Sequence, residues 1–312
     1  MRAKRERPGL APQHLAAVRA VGELCGARCE GLELRSTRLR FAPGRRPAGG
    51  QLAVDVGTAG SVTLVLQALL PVLLGARAAT RIVVSGGTDV RQAPTWDYFC
   101  RVLVPLLAAM GLKVRASVLR RGYYPRGGGQ VAVEVEPGVP EPLAPGKPKS
   151  AWQIDGAAHV ANLPVTIAER MRSAALASLG REARIEARAL ARDEAIGTGG
   201  AITLWARSDA VLVGASRVAE RGVRAEALGE AAGSELAADV QSGAALDLHA
   251  ADQVLVYTAM AKGKSRFSAR ALSSHARTAM WLIPKFLPAR FSVEEKDSLA
   301  DIRVEPGQLA RS

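Results

Sequence analysis

LAVDVGTAGSVTLVLQALLPVLL, running from Leu52 to Leu74, decides the fold. Leu52, Val54 and Val56 alternate with Ala53 and Asp55, which is the period of a strand. The turn Gly57-Thr58-Ala59-Gly60 follows, and an apolar run from about Ser61 to Leu74 then has the length of a helix. Thr63, Gln67 and Pro71 lie four apart, so they share one face of that otherwise apolar helix. A strand at Arg81 to Val84, a glycine turn and a helix from about Thr95 to Met110 come next. Strands near 112–119 and 130–136 close the unit, whose order is β-α-β-α-β-β.

The end of the chain repeats part of that order. A helix near 247–261, a strand near 265–270, a helix near 275–287 and strands near 289–294 and 300–305 are expected. A strand near 150–156 supplies the missing first β if the block between is an insertion. That block has its own helices near 164–179 and 223–241 and its own strands near 183–190, 201–206 and 210–214, enough for a small core. The fold class is therefore α/β (α+β). Repeated β-α-β-α-β-β units form a large discontinuous domain, 1–157 and 245–312, with an inserted α/β domain at 158–244. A helix at 12–25, started by Pro12 and stopped by Gly26, and strands near 31–35 and 37–42 read as the last three elements of a further unit. Repeat architecture then expects a β-α-β ahead of Met1, with a mis-assigned start codon the preferred explanation.

The 312 residues suit one large domain or two smaller ones. Hydrophobic residues make up 48%, so a packed core is expected, and aromatics at 4% leave Ala, Leu and Val to build it. No apolar run nears the roughly 20 residues of a membrane helix, and the basic N-terminus has no apolar segment after it. A membrane protein and a secreted one are thereby disfavoured, and a cytoplasmic location is expected. Lys and Arg outnumber Asp and Glu by 42 to 29, a net charge of +13 that favours polyanionic partners, nucleic acid first. Three cysteines make no disulfide framework; Cys25 and Cys29 could share a helix face, but no further ligands sit near for zinc.

Four histidines are present. His275, in Ser273-Ser274-His275 at a helix start, is either a nucleophile or a polar residue of the first turn. His249 opens His249-Ala250-Ala251-Asp252-Gln253, also at a helix start; Asp252 could hold a phosphate-bound metal, or serve only the helix dipole. His159 reads as structural. Gly57 to Ser61 is an anion-binding turn or merely a tight one, and it does not match a P-loop. Ser85-Gly86-Gly87-Thr88-Asp89 is a second glycine turn. Arg120 to Gly129, with Arg121, Tyr123, Tyr124 and Arg126, suits single-stranded nucleic acid or a solvated hairpin tip.

Taken in order, RAKRERPGLAPQH (Arg2 to His14), GTAGSVTLVLQ (Gly57 to Gln67), SGGTD (Ser85 to Asp89), RRGYYPRGGG (Arg120 to Gly129), AERG (Ala219 to Gly222), HAADQ (His249 to Gln253) and Lys264 to Thr278 resemble the RNA 3'-terminal phosphate cyclases across nearly the whole chain. The resemblance implies three β-α-β-α-β-β repeats with a small inserted domain. It also implies ATP-dependent conversion of an RNA 3'-phosphate to a 2',3'-cyclic phosphate through AMP bound covalently to His275. Gln67, Pro94, His249, Ala250, Ala251, Asp252 and Gln253 would hold ATP, with a divalent cation, Mg or Mn, beside Asp252. Arg2, Arg5, Gln13 and His14 match a cluster that faces phosphates of ATP or RNA, and Arg121 and Arg126 are assigned to the RNA. The family's glycine-rich first segment has no counterpart here, and His249 stands where many relatives have tyrosine. A non-catalytic RNA-binding relative of the ribosome-assembly kind is the alternative, and His275 argues against it. An enolpyruvyl transferase, which shares the repeat, has no reason to carry the arginine–tyrosine loop.

Overall fold

A computed structural model describes residues 6, 8–296 and 298–307; Arg2 and Arg5 lie outside the described residues. The chain forms two compact units. One comprises the chain up to Trp96 together with Lys113–Gly138 and Leu190–Gly199; the other comprises Asp97–Leu112, Val139–Ala189 and Gly200 onward.

In the first unit, α1 (Pro12–Cys25) begins with proline at its first turn and ends at Gly26, whose φ of 57° is left-handed. Cys25 is thus the last helical residue. Cys29 falls in β1 (Arg28–Glu30), so the two cysteines share no helix face. β1 pairs antiparallel with β2 (Arg40–Ala42). The expected strand at 31–35 does not form. Gly31 and Arg35 take positive φ of 71° and 67°, and residues 35–36 fold back to bond the backbone of Leu10. β3 (Gly50–Asp55) runs parallel to β4 (Thr80–Gly86), with Leu52 beside Ile82 and Val54 beside Val84. Between them α2 (Val62–Leu74) is capped by the Ser61 hydroxyl, which accepts from the Leu64 N–H. Val62, Val65, Leu66, Leu69, Leu70, Leu73 and Leu74 are all buried, so α2 is apolar nearly all round because protein surrounds it.

The chain continues through a short helix, α3 (Trp96–Tyr98), a π-helical turn (Phe99–Leu103) and α4 (Val104–Ala109). It then returns to the first unit as β5 (Val114–Gly122) and β6 (Gly129–Val135). The sheet order is β3-β4-β6-β5, extended at the β5 edge by β9 (Ala195–Ile196).

The second unit holds two sheets. β7 (Gln153–Ala161), α5 (Val165–Leu179), β8 (Arg184–Leu190), β10 (Gly199–Ser208), β11 (Val211–Val218) and α6 (Ala225–Ser242) build the first, ordered β11-β10-β7-β8. Ile154, Val160, Met171, Ile202, Leu204, Val213 and Leu236 are among the residues of its core. α7 (Leu248–Gln253), α8 (Leu255–Ala259), β12 (Ser265–Ala269), α9 (Ser274–Leu282) with a 3-10 turn (Ile283–Lys285), β13 (Ala289–Lys296) and β14 (Leu299–Pro306) follow. Their sheet is ordered β12-β14-β13, all antiparallel. This is the β4-β6-β5 arrangement again, so the repeat read from the sequence is a repeat of topology.

The strand expected near 150–156 forms as β7, but it does not lead this last repeat; it is an inner strand of the four-stranded sheet. A single parallel bridge between Leu246 and Ala269 stands where β3 stands beside β4. Two residues, Ala244 and Ala245, are all that separate the end of α6 at Gly243 from that bridge, which leaves no length for a full strand. Among the described residues no helix is long and apolar enough to cross a membrane.

Candidate active site

The three glycine loops singled out by their sequence meet in the first unit. The Gly87 N–H donates to the Gly60 carbonyl at 2.8 Å, and the Val62 N–H to the Gly87 carbonyl at 3.0 Å. A side chain on Gly87 would start 2.5 Å from the Ala59 carbonyl oxygen. One on Gly127, whose φ is +65°, would start 2.6 Å from the Thr58 carbonyl oxygen. Backbones this close admit only glycine at both positions. Gln13 joins them from α1, its Oε1 lying 3.1 Å from the Cβ position of Gly60. His14, also expected at phosphates, turns its Nδ1 to the Ala11 N–H at 3.2 Å and so caps its own helix.

Arg121 departs from expectation. It is 5% exposed, and its guanidinium donates to Asp89 Oδ2 at 2.9 Å. Asp89 also accepts from the Thr88 hydroxyl at 2.8 Å and from the Trp96 N–H at 3.1 Å. Arg121 is therefore a buried counter-charge that clamps the second glycine loop to the third, and it presents no free face to an RNA phosphate. Arg126 and Tyr124 do stand exposed at the tip of that loop. On α2, the Thr63 hydroxyl donates to the Pro94 carbonyl at 2.9 Å, which holds Pro94 against the helix. One turn on, Gln67 has a buried Nε2 with no hydrogen-bond partner among the described residues. An amide N–H left unpaired in the interior costs on the order of 1–3 kcal/mol unless something outside the chain accepts from it.

In the second unit the His249–Gln253 segment is α7 with the residue count of about one and a half turns. Its N-cap is Asp247, which sequence reading passed over. Asp247 Oδ1 accepts from the N–H groups of His249 and Ala250, both at 2.9 Å, and from the Tyr98 hydroxyl at 2.7 Å. Its Oδ2 accepts from the Gly214 N–H at 2.8 Å. Four donors hold a buried carboxylate and so fix where α7 begins. Burial nonetheless pushes its pKa above the ordinary carboxylate value, and burial together with Asp247 pushes that of Tyr98 well up. An aspartate just before a helical run was the available signal; Tyr98, 149 residues away, had none.

α7 and α9 are tied at their functional ends. Ser273 caps α9 by accepting from the Ala276 N–H at 2.9 Å, and its hydroxyl donates to Asp252 Oδ2 at 2.9 Å. Burial raises the Asp252 pKa, opposed by the Ser273 hydroxyl and by the imidazoles of His249 and His275. His275 is the second residue of α9, exposed, and makes no hydrogen bond among the described residues. His249 is about half exposed, 4.0 Å from a Glu235 carboxylate oxygen and edge-on to the Tyr98 ring. Gln253 has a buried Oε1 with no partner among the described residues. Ala250 and Ala251 are buried against the unit's interior and offer only backbone. The arrangement is an accessible imidazole at a helix N-terminus, where backbone N–H groups favour an anion, beside a carboxylate and an amide oxygen without a partner among the described residues.

Nearby, Asp239 on α6 is buried and paired through Oδ1 with Arg270 at 2.9 Å. Burial outweighs Arg270 and lifts its pKa to about 6. A raised folded-state value means that the folded protein holds this proton more tightly than the unfolded chain. The stabilisation is full below about pH 3.8 and is lost as the pH rises through 6, a difference of roughly 3 kcal/mol. Urea unfolding at pH 4 and pH 7 is expected to show Asp239→Asn gaining stability relative to the unsubstituted chain by about that amount as the pH rises. A constant difference between the two would refute the assignment.

A repeated sheet topology runs through the chain, and in the second unit it carries a histidine exposed at the start of a helix. The family model for RNA 3'-terminal phosphate cyclase matches residues 1–293. Curated proteins named RNA 3'-terminal phosphate cyclase align over nearly the whole chain. The one from Nitrosospira multiformis is 50% identical over 309 residues, covering 98% of this chain and 87% of that protein. Those from Pyrobaculum neutrophilum and Methanopyrus kandleri are 41% and 40% identical, covering 98% of this chain and 88% and 89% of theirs. The chain belongs to the RNA 3'-terminal phosphate cyclase family.

Proposed function

We propose that the chain uses ATP to convert an RNA 3'-phosphate end to a 2',3'-cyclic phosphate, and that His275 carries the AMP. The observation that supports this most directly is the imidazole of His275, exposed at the start of α9 and tied through Ser273 and Asp252 to the His249–Gln253 segment. ATP fits the residues present. In the second unit the unpaired Oε1 of Gln253 accepts, as an adenine amino group requires. Among the described residues no group of three or more His, Cys, Asp and Glu could hold a metal ion, so a divalent cation would arrive on the triphosphate, with Asp252 offering it one oxygen.

The imidazole nitrogen of His275 attacks the α-phosphorus, and pyrophosphate leaves. An oxygen of the RNA 3'-phosphate then takes the AMP and frees His275. The adjacent 2'-hydroxyl attacks the 3'-phosphorus, loses its proton to solvent and expels AMP. Transfer of AMP to the RNA phosphate turns a poor leaving group on its phosphorus into a good one, and the last stage is intramolecular. Arg126 and Tyr124, exposed together, are the contacts assigned to the RNA in the first unit, and Gln13 is assigned to a phosphate.

Incubating the chain with ATP and an RNA oligonucleotide bearing a 3'-phosphate tests the reading. The product is expected to resist phosphatase and to yield to mild acid, as a cyclic phosphate does. RNA bound but unaltered, with no AMP released, would instead establish the non-catalytic RNA-binding reading.

A further inference from the structure

From Gln253 to Val293 the chain carries seven lysines and arginines and not one aspartate or glutamate. Five of the seven are neutralised from elsewhere: Lys262 by Glu141, Lys264 by Glu305, Arg266 by Asp301, Arg270 by Asp239 and Arg277 by Glu295. Lys285 is not. Among the described residues it has no carboxylate partner, and its ammonium instead lies over the Trp281 ring, 4.5 Å from the centroid. Trp281 is 65% exposed and Phe286 79% exposed, whereas Trp96, Tyr98, Phe99 and Tyr257 are almost wholly buried.

Helical spacing puts Arg277 and Trp281 on one face of α9, and Lys285, in the 3-10 turn that follows, lies over the Trp281 ring. Trp281 stands six residues after His275, about 9 Å along the helix axis. One exposed ring on the helix that carries His275 and a second just past the 3-10 turn that ends it, with the Lys285 ammonium between them in sequence, make a short track. Its chemistry is that of a surface for single-stranded nucleic acid: flat π-faces for bases and positive charge for phosphates. Leu282, 42% exposed, adds an aliphatic edge, but the unneutralised ammonium over an exposed ring favours a polyanion with flat bases over an apolar protein face.

We propose that Trp281, Lys285 and Phe286 form a stacking platform for the nucleotides upstream of the RNA 3'-phosphate, so that α9 both supplies the nucleophile and steers the strand toward it. This rests on the cyclase reading of the His275 site. The platform makes affinity depend on RNA length: an end long enough to reach Trp281 gains stacking that a dinucleotide cannot.

Binding of a 3'-phosphorylated RNA decamer and of a 3'-phosphorylated dinucleotide is compared for the unsubstituted chain, Trp281→Ala, Phe286→Ala and Trp281→Phe. The alanine variants are expected to lose about tenfold on the decamer and little on the dinucleotide, and Trp281→Phe to retain most of the gain. Lys285→Ala is expected to flatten the log K against log salt slope by about 0.7, one phosphate's worth for a single strand. Emission of the exposed Trp281 in the unsubstituted chain is expected to be quenched by the decamer, a readout that needs no variant to fold. Equal decamer binding by all variants, or no quenching, overturns the platform and leaves the cyclase reading intact. So does sedimentation showing that the alanine variants convert a dimer to a monomer with RNA binding unchanged, since the rings would then join two copies of the chain. An unsubstituted chain that binds neither RNA overturns the cyclase reading, and the platform with it.

Discussion

His275→Ala is expected to abolish ATP-dependent self-adenylylation, with at least about a thousandfold loss, while leaving the melting temperature within a degree or two. The two halves of that expectation come from the same geometry. The side chain is exposed and makes no hydrogen bond among the described residues, so its removal exposes no buried partner and opens no cavity. The N-cap of α9 belongs to Ser273, whose hydroxyl continues to hold both the Ala276 N–H and Asp252. Surface substitutions of this kind shift stability by about half a kcal/mol at most. Chemistry has no such reserve: the other imidazole of the α7–α9 cluster, that of His249, lies toward Glu235 and the Tyr98 ring.

The measurement is transfer of label from the α-phosphate of ATP to protein, with acid lability as the signature of a phosphoramidate. Label retained by the alanine variant would move the nucleophile elsewhere and would make His249 the first residue to replace. Label absent from both proteins, with RNA still bound, would favour the non-catalytic reading.

Local periodicity carried the sequence reading far because the elements that matter are locally determined. α2 has a capping serine and a largely apolar body, and β3 alternates cleanly, so each is written within its own residues. The last repeat was legible for the same reason, and its sheet order repeats that of β4, β6 and β5. Failures arose where partners are distant. β7 reads identically whether it leads a repeat or sits inside another sheet, because strand pairing is not encoded in its own alternation. The turn at 31–39 is decided by the backbone of Leu10, which no property of residues 31–35 announces. For the site, the histidines and glycine loops stood out by scarcity and composition, and the resemblance gave them roles. Asp247 did not stand out, since its four donors come from three separate stretches of chain. Arg121 is illegible for the opposite reason: an arginine between glycines and tyrosines looks solvated until its carboxylate, 32 residues earlier, is seen to be buried with it.

That buried pair yields the largest expected loss of stability. Arg121→Ala is expected to cost about 3–5 kcal/mol in urea unfolding, far more than Arg126→Ala at the exposed tip of the same loop. The side chains of Arg121 and Asp89 are 7% and 0% exposed, so removing the guanidinium strands a carboxylate that water does not reach. The Thr88 hydroxyl and the Trp96 N–H still donate to it, but neither supplies a charge. The cost then has two parts, the loss of a buried counter-charge and the loss of a contact, and the two can be told apart. Asp89→Asn in the Arg121→Ala background removes the charge and keeps the shape, so the double variant is expected to recover a substantial part of the loss. If instead the two losses add, the pair contributes packing alone, and Arg121 would again be open to a role at an RNA phosphate. Recovery would explain why an arginine in a glycine-rich loop is buried at all. It locks the Ser85–Asp89 turn to the Arg120–Gly129 loop, so that the close backbone contacts of Gly60, Gly87 and Gly127 have a fixed frame behind them.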